Sequence, residues 1–263
     1  SRLMGMAEYQ AVSSWLDEDQ MKGVRLMCTH TGVLLIGGCY GCGKTTMITT
    51  TLRLLVESDK YPILLTAETN AAVDELTRKL AQNKWFTPER LLHIGFCPDS
   101  CPEHIYYSGN REAEFIAEWT EKHCGAPPAR RHTHRFNQEQ RNRAKVIVCT
   151  LAKASSDIVQ KLSFEAMFND EAAQTVESSL FAVIQPSMKR IVYLGDIAQM
   201  PPFTRLMPNQ REKFHTNSRR EHHLNKSQLY ERLLRMPGRR PHVILKTQYR
   251  VHPQISRWLS FFY

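Results

Sequence analysis

The sequence predicts an α/β fold, a doubly wound parallel sheet with a small, mainly helical insertion, and three observations carry that prediction. Short apolar runs, "VLLIG", "PILLTA", "LLHIG", "KVIVCT", "FEAMF", "RIVYLGD" and "HVILK", recur along the 263 residues, most of them followed by a segment of helical period. Continuously apolar runs suit parallel strands covered on both faces, and their alternation with helices marks strand–helix–strand units. The second observation is "GGCYGCGKTT", residues 37–46, directly after the first run. The third is the acid pair Asp170 and Glu171, directly after "FEAMF".

Taken in order, Val33 to Ile36 form the first strand, and Gly38 to Thr45 read G-x-x-x-x-G-K-T. That spacing describes a loop whose backbone N–H groups cradle a triphosphate at the start of a helix. Gly41 and Gly43 let the backbone curl without a Cβ in the way. Lys44 brings a cation to the β- and γ-phosphates, Thr45 offers a hydroxyl to Mg²⁺, and Thr46 follows as a further nucleotide contact. After "PILLTA", Asn70 is the expected helix cap, with Val73, Leu76 and Leu80 along one buried face. In open parallel sheets ligands bind beyond the carboxyl ends of the strands, where these motifs fall.

Residues 96–144 break the rhythm and read as an insertion with its own short helices: "CPDSCPEH", a helix over "REAEFIAEWTEKH", and a basic loop "GAPPARRHTHR". His93, Cys97, Cys101 and His104 include zinc-ligand types, but their spacing fits no common finger and His93 lies in a strand. The acid pair then supplies what a phosphate-loop ATPase needs. Asp170 can hold Mg²⁺, in several such enzymes through water, and Glu171 can take the proton of the attacking water. "VYLGDIAQMPP" sets Asp196 and Gln199 at another strand end, where a glutamine can orient water or touch the γ-phosphate. Residues 203–224 read as a charged surface loop. "LKTQYRVHPQIS" closes the series with Tyr249, a flat face for a base, and Arg250, a permanent cation.

Hydrophobic content of 42% and charged content of 23% are those of a soluble globular protein. No apolar stretch approaches the ~20 residues of a membrane span, and "SRLMGMAEYQ" lacks a signal-peptide core. An intracellular protein, cytoplasmic or nuclear, is expected, and a chain opening on Ser reads as an excerpt. The net charge of +9 is localised: Phe203 to Arg250 holds twelve Lys and Arg against three acids, leaving the remainder neutral. A basic region of this kind points to a polyanion partner, with a solvated loop as the alternative. Seven cysteines, an odd number, argue against a disulfide framework. Cys39-x-x-Cys42 lies inside the phosphate loop, which argues against a redox motif.

"GCYGCGKT", "AETNAAVDEL", "NDEAAQ", "LGDIAQMPP" and "QYRVHP", in this order, resemble motifs I, Ia, II, III and IV of the Upf-like branch of superfamily 1 helicases. That group includes the RNA helicase of nonsense-mediated decay and unwinds nucleic acid 5′ to 3′. The resemblance runs from about Tyr9 to the C-terminus and implies the first RecA-like, ATP-binding domain of a phosphate-loop NTPase. By it, Gln10 reads adenine, Lys44 and Thr45 bind phosphates and Mg²⁺, and Asp170 and Glu171 coordinate Mg²⁺ and activate water. Gln199 senses the γ-phosphate, Tyr249 stacks on adenine and Arg250 contacts the γ-phosphate. Thr69, Asn70 and Thr150 line the track for single-stranded RNA or DNA. Residues 96–144 fall where the family carries an accessory subdomain, and a second RecA-like domain is expected beyond Tyr263. Two departures stand out: bulky Tyr40 in a loop that is compact in the family, and Glu68 in place of an uncharged residue in motif Ia. The implied function is ATP hydrolysis driving movement on a single strand. The alternative is a helicase-like module that binds nucleic acid or protein without turnover, and the intact phosphate-loop and acidic residues favour the enzyme.

Overall fold

The structure, a computed structural model, describes residues 14–57, 62–97, 102–199, 202, 229–236 and 243–259. Among them seven strands form one parallel sheet: β1 (Gly32–Gly38), β2 (Ile63–Ala67), β3 (Leu91–His93), β4 (Val146–Thr150), β5 (Ala166–Asn169), β6 (Arg190–Gly195) and β7 (Val243–Leu245). Their order is β3-β4-β2-β5-β6-β1-β7. All seven apolar runs of the sequence lie on these strands. β2 and β5 are buried at every residue, as central strands sandwiched between two layers must be.

Side chains alternate between two cores because the strand period is two. Leu34, Ile36, Ile63, Leu65 and Phe168 enter one apolar cluster. Leu35, Leu64 and Met167 enter the other. The first cluster is covered by α1 (Glu18–Thr29), α2 (Lys44–Glu57) and α3 (Asn70–Ala81), which contribute Val24 and Met27, Met47 and Leu52, and Val73, Leu76 and Leu80. The N-cap of α3 is Thr69, whose hydroxyl accepts from Ala72 N at 3.2 Å. Asn70 is the first helical residue, one position past the expected cap, because the threonine before it already supplies the capping oxygen in an extended backbone.

Between β3 and β4 run α4 (Ser108–Lys122) and α5 (Arg130–Arg143). They pair through Phe115 stacked on Phe136, ring centroids 4.4 Å apart, and an Asn137 amide donating to Glu112 at 2.9 Å. The expected basic loop 125–135 is therefore helical from Arg130 onward. Arginine propagates a helix well, and the Phe136 stack anchors one that buries no residue of its own. Arg111 fixes the pair to the sheet domain, donating to Gln140 at 2.6 Å and to the Pro88 and Ile105 carbonyls. Short helices α6 (Leu151–Ala154), α7 (Asp157–Gln160) and α8 (Glu177–Phe181) lie against the second cluster, to which they contribute Leu151, Val159 and Leu180. The charged loop expected over 203–224 lies outside the described residues. Among the described residues no helix is long and apolar enough to cross a membrane.

α9 (Leu229–Arg235) contributes Tyr230, fully buried, whose hydroxyl donates to the Ile36 and Gly195 carbonyls at 2.9 and 3.3 Å. It is thereby pinned under the ends of β1 and β6, and α10 (Pro253–Leu259) closes the described chain. Tyr230→Phe strands two buried carbonyls. We expect a loss of about 1–3 kcal/mol, read as a lower urea midpoint at unchanged slope.

Candidate nucleotide site

The loops at the carboxyl edge of the sheet follow its strand order. From one side to the other come Thr150 after β4, Thr69 and Asn70 after β2, Asp170 and Glu171 after β5, Gln199 after β6, Lys44 after β1, and Tyr249 and Arg250 after β7. A cavity of about 610 Å³ occupies the β5-to-β7 half of this edge. Lys44, Thr45, Thr46, Asp170, Glu171, Gln199, Tyr249 and Arg250 all line it, with Gly41 and Gly43. Gly38 lies beneath the loop, and Gln10 falls outside the described residues. Thr69, Asn70 and Thr150 sit on the β2 and β4 side, apart from the cavity. The Thr69 and Thr150 hydroxyls both serve as helix caps.

The phosphate loop has the backbone its glycines permit. Gly41 and Gly43 have φ of +66° and +87°. A Cβ on Gly41 would stand 2.5 Å from the Arg250 Cβ, so only glycine admits the "QYR" segment here. That segment is stitched to the loop by Tyr249 N donating to Gly41 O at 2.9 Å, and Gln248 holds its turn by accepting from Val251 N at 2.8 Å. The Lys44 ammonium folds over its own loop, donating to Gly38 O and Cys39 O at 2.8 and 3.0 Å. A phosphate must win the ammonium from these carbonyls.

Asp170 is almost fully buried, its N donating to Thr66 O at 2.9 Å and its carboxylate accepting from Glu171 N at 3.0 Å. Burial pushes its pKa up, and the Lys44 charge only partly opposes this. Glu171 is raised too, by burial and then by Asp170 beside it. Its backbone is left-handed, φ +54° and ψ 36°, a conformation costly for a residue with a Cβ and characteristic of functional turns. Two crowded carboxylates beside a threonine hydroxyl are a hard-oxygen donor set, and a buried carboxylate held ionised asks for a cation. The residues therefore fit Mg²⁺, with Asp170 and Thr45 as holders. Gln199 is oriented by Asp196, whose carboxylate accepts from the Gln199 amide at 2.8 Å and from Ala198 N at 3.1 Å.

Several cavity residues went unrecognised in the sequence. Gln20, 5% exposed, donates to the Cys42 carbonyl at 3.0 Å and so braces the loop. It also forms a capping box with Asp17, the legible D-x-x-Q signal, though that pattern announces only a helix start. Trp15 brings a second exposed aromatic ring beside Tyr249, and Lys79 adds a cation from α3. Of the zinc-type residues, Cys101 lies outside the described residues. His93 is buried, stacked on Tyr107 at 4.2 Å and hydrogen-bonded to Thr77, and Cys97 is disulfide-bonded. Among the described residues no three His, Cys, Asp or Glu side chains gather in a group that could hold a metal ion.

The AAA domain family model matches residues 15–93 and 103–205, more than half of the chain. The chain belongs to this family. Within it, the chain is the first RecA-like domain of an Upf-like superfamily 1 helicase. It is 26% identical to "Regulator of nonsense transcripts 1 homolog" of Drosophila melanogaster, over 87% of this chain and 19% of that protein. It is 27% identical to "DNA-binding protein SMUBP-2" of Mesocricetus auratus, over 93% of this chain and 26% of that protein. To "5'-3' DNA helicase ZGRF1" of Mus musculus it is 23% identical, over 85% of this chain and 13% of that protein. The chain thus spans between 13% and 26% of the length of these relatives.

Asp170→Asn keeps the shape and the acceptor oxygen while removing a charge that burial disfavours. At neutral pH the raised pKa means that the ionised form costs folding free energy. We expect the variant to melt higher than the parent in metal- and nucleotide-free buffer, by about 2–4 °C per kcal/mol relieved, and to lose the extra stabilisation that Mg-ATP gives the parent.

Proposed function

We propose that this chain is the ATP-binding and hydrolysing core of a helicase acting on single-stranded RNA or DNA. The observation that carries the reading is the convergence of Lys44, Thr45, Asp170, Glu171, Gln199 and Arg250, drawn from loops after β1, β5, β6 and β7, on one cavity. Lys44 and the loop N–H groups take the phosphates, and Thr45 and Asp170 hold Mg²⁺, which when bound neutralises phosphate charge. Glu171 is the general base: its carboxylate accepts the proton of the water attacking the γ-phosphorus, and its raised pKa strengthens it for that task. Gln199, set by Asp196, senses the γ-phosphate, and Arg250 meets the charge that develops on it.

The base sits in the aromatic part of the cavity, against Tyr249 and Trp15. The β2 and β4 loops, carrying Thr69, Asn70 and Thr150, give the strand its track on the same edge, and a following RecA-like domain closes over both ligands. The similarity to a regulator of nonsense transcripts and to a 5'-3' DNA helicase supports a nucleic-acid substrate of either sugar.

In the full-length protein, oligonucleotide-stimulated phosphate release tests the reading. Glu171→Gln should keep ATP affinity and slow turnover by about 10²–10⁴-fold, while Lys44→Ala should lose nucleotide binding. Retained turnover in Glu171→Gln, or unchanged binding in Lys44→Ala, would overturn the assignment. Because Glu171 must be ionised to accept a proton, kcat/KM should fall on acidification through a pKa above the ordinary glutamate value of about 4.3. That acid limb should be absent from the residual activity of Glu171→Gln.

A further inference from the structure

We propose that Cys39 and Cys42 form a redox modification site: a peroxide or a low-molecular-weight disulfide converts the two thiols into an intraloop disulfide that closes the phosphate loop to nucleotide. The blocking half of this statement rests on the phosphate-loop reading above; the bond itself does not.

Four observations on the loop carry it. A turn over Tyr40 and Gly41 sets the two cysteines at its ends. The Cα atoms of turn ends approach within about 7 Å, which overlaps the ~4.4–6.8 Å spanned by disulfides. The Cys42 sulfur is turned back toward the residue that precedes Cys39, Gly38. Gly38 makes room for this, since a Cβ there would lie 2.5 Å from the Cys42 sulfur. The other free cysteines among the described residues, Cys28, Cys124 and Cys149, lie elsewhere in the fold, so the loop pair is the local product. The proposal departs from the sequence expectation of no redox motif in that the pair serves as a target of oxidation and not as a catalyst of it.

With hydrogen peroxide, half-buried Cys39 is oxidised to a sulfenic acid with release of one water. The Cys42 sulfur then attacks that sulfur, forming the S–S bond and expelling a second water, so two thiols and one peroxide give one disulfide and two waters. With glutathione disulfide, two exchanges release two glutathione thiols. The bond fixes the two sulfurs about 2 Å apart. Both anchors of the loop are affected. The Cys39 carbonyl accepts from Lys44 Nζ at 3.0 Å, and the Cys42 carbonyl accepts from Gln20 at 3.0 Å. Cross-linking 39 to 42 therefore locks the span that must release Lys44 when a phosphate arrives.

The test treats the protein with hydrogen peroxide or glutathione disulfide, then maps peptides by mass and titrates a fluorescent ATP analogue before and after reduction with dithiothreitol. We expect a Cys39–Cys42 linked peptide, two hydrogens lighter than the reduced one, and at least about a tenfold weakening of nucleotide affinity, some 1.4 kcal/mol, that dithiothreitol restores. Cys39→Ser, whatever its own affinity, should show the same affinity before and after oxidant. Absence of the linked peptide would overturn the proposal, and so would a linked protein that binds nucleotide as the reduced one does. A reduced parent protein that binds no nucleotide would instead overturn the phosphate-loop reading and the blocking half with it, while the peptide mass still decides the bond.

Discussion

The parallel pairing of β1 with β6 on one side and β7 on the other is the constraint from which the site follows. The registers place Ile36 beside Leu194 and Gly38 beside Leu245, so three strands end level with one another. Every polar group carried just past those ends must then face the same crevice. A slip of one residue in β1 would turn Leu34 and Ile36 into the other core and shift the loop that carries Lys44 against the loops after β6 and β7. Burial of Leu34, Leu35 and Ile36 at both faces is what forbids the slip. The chemistry is thus held by apolar packing several residues away from it.

Electrostatics oppose that packing at one place. Asp170 and Glu171 stand side by side, both carboxyls raised by burial, and Glu171 sits in a backbone conformation that only a supporting frame keeps populated. The frame is visible: Asp170 N is tied to Thr66 O, and a Cβ on Gly195, the last residue of β6, would stand 3.1 Å from Ala173 N, so glycine there lets the turn after β5 pack closely on β6. Stability is lowered where charge must later be neutralised by a ligand, a division of labour common to sites built to bind cations and phosphates.

Much of this was legible in the sequence because the signals were of the unambiguous kind. Strands such as "PILLTA" and "KVIVCT" are apolar without interruption, since both their faces are covered, and no amphipathic helix has that pattern. The G-x-x-x-x-G-K-T spacing is fixed by the loop's own backbone. What escaped depends on contacts distant in sequence or on near-equivalent chemistry. Gln20 reads as a local helix start, and its second role appears only when the Cys42 carbonyl, 22 residues on, comes within 3.0 Å. Thr69 and Asn70 are both good caps, so composition cannot separate them. The α5 helix is rich in Arg and His, a composition shared with solvated loops, and only the stack on Phe115 tells them apart.

One half-buried carboxylate joins the two ends of the described chain. Asp17 receives Gln20 N on one oxygen, at 2.8 Å, and the Tyr249 hydroxyl on the other, at 2.5 Å. The first turn of α1 and the segment leaving β7 are therefore coupled mechanically. Displacing Tyr249 withdraws a partner from the residue that starts α1, and α1 in turn carries Gln20 to the floor of the phosphate loop. A pull applied to the chain after β7 reaches that floor by two routes, through Gly41 directly and through the helix start, so tension there would act as a lever on nucleotide grip.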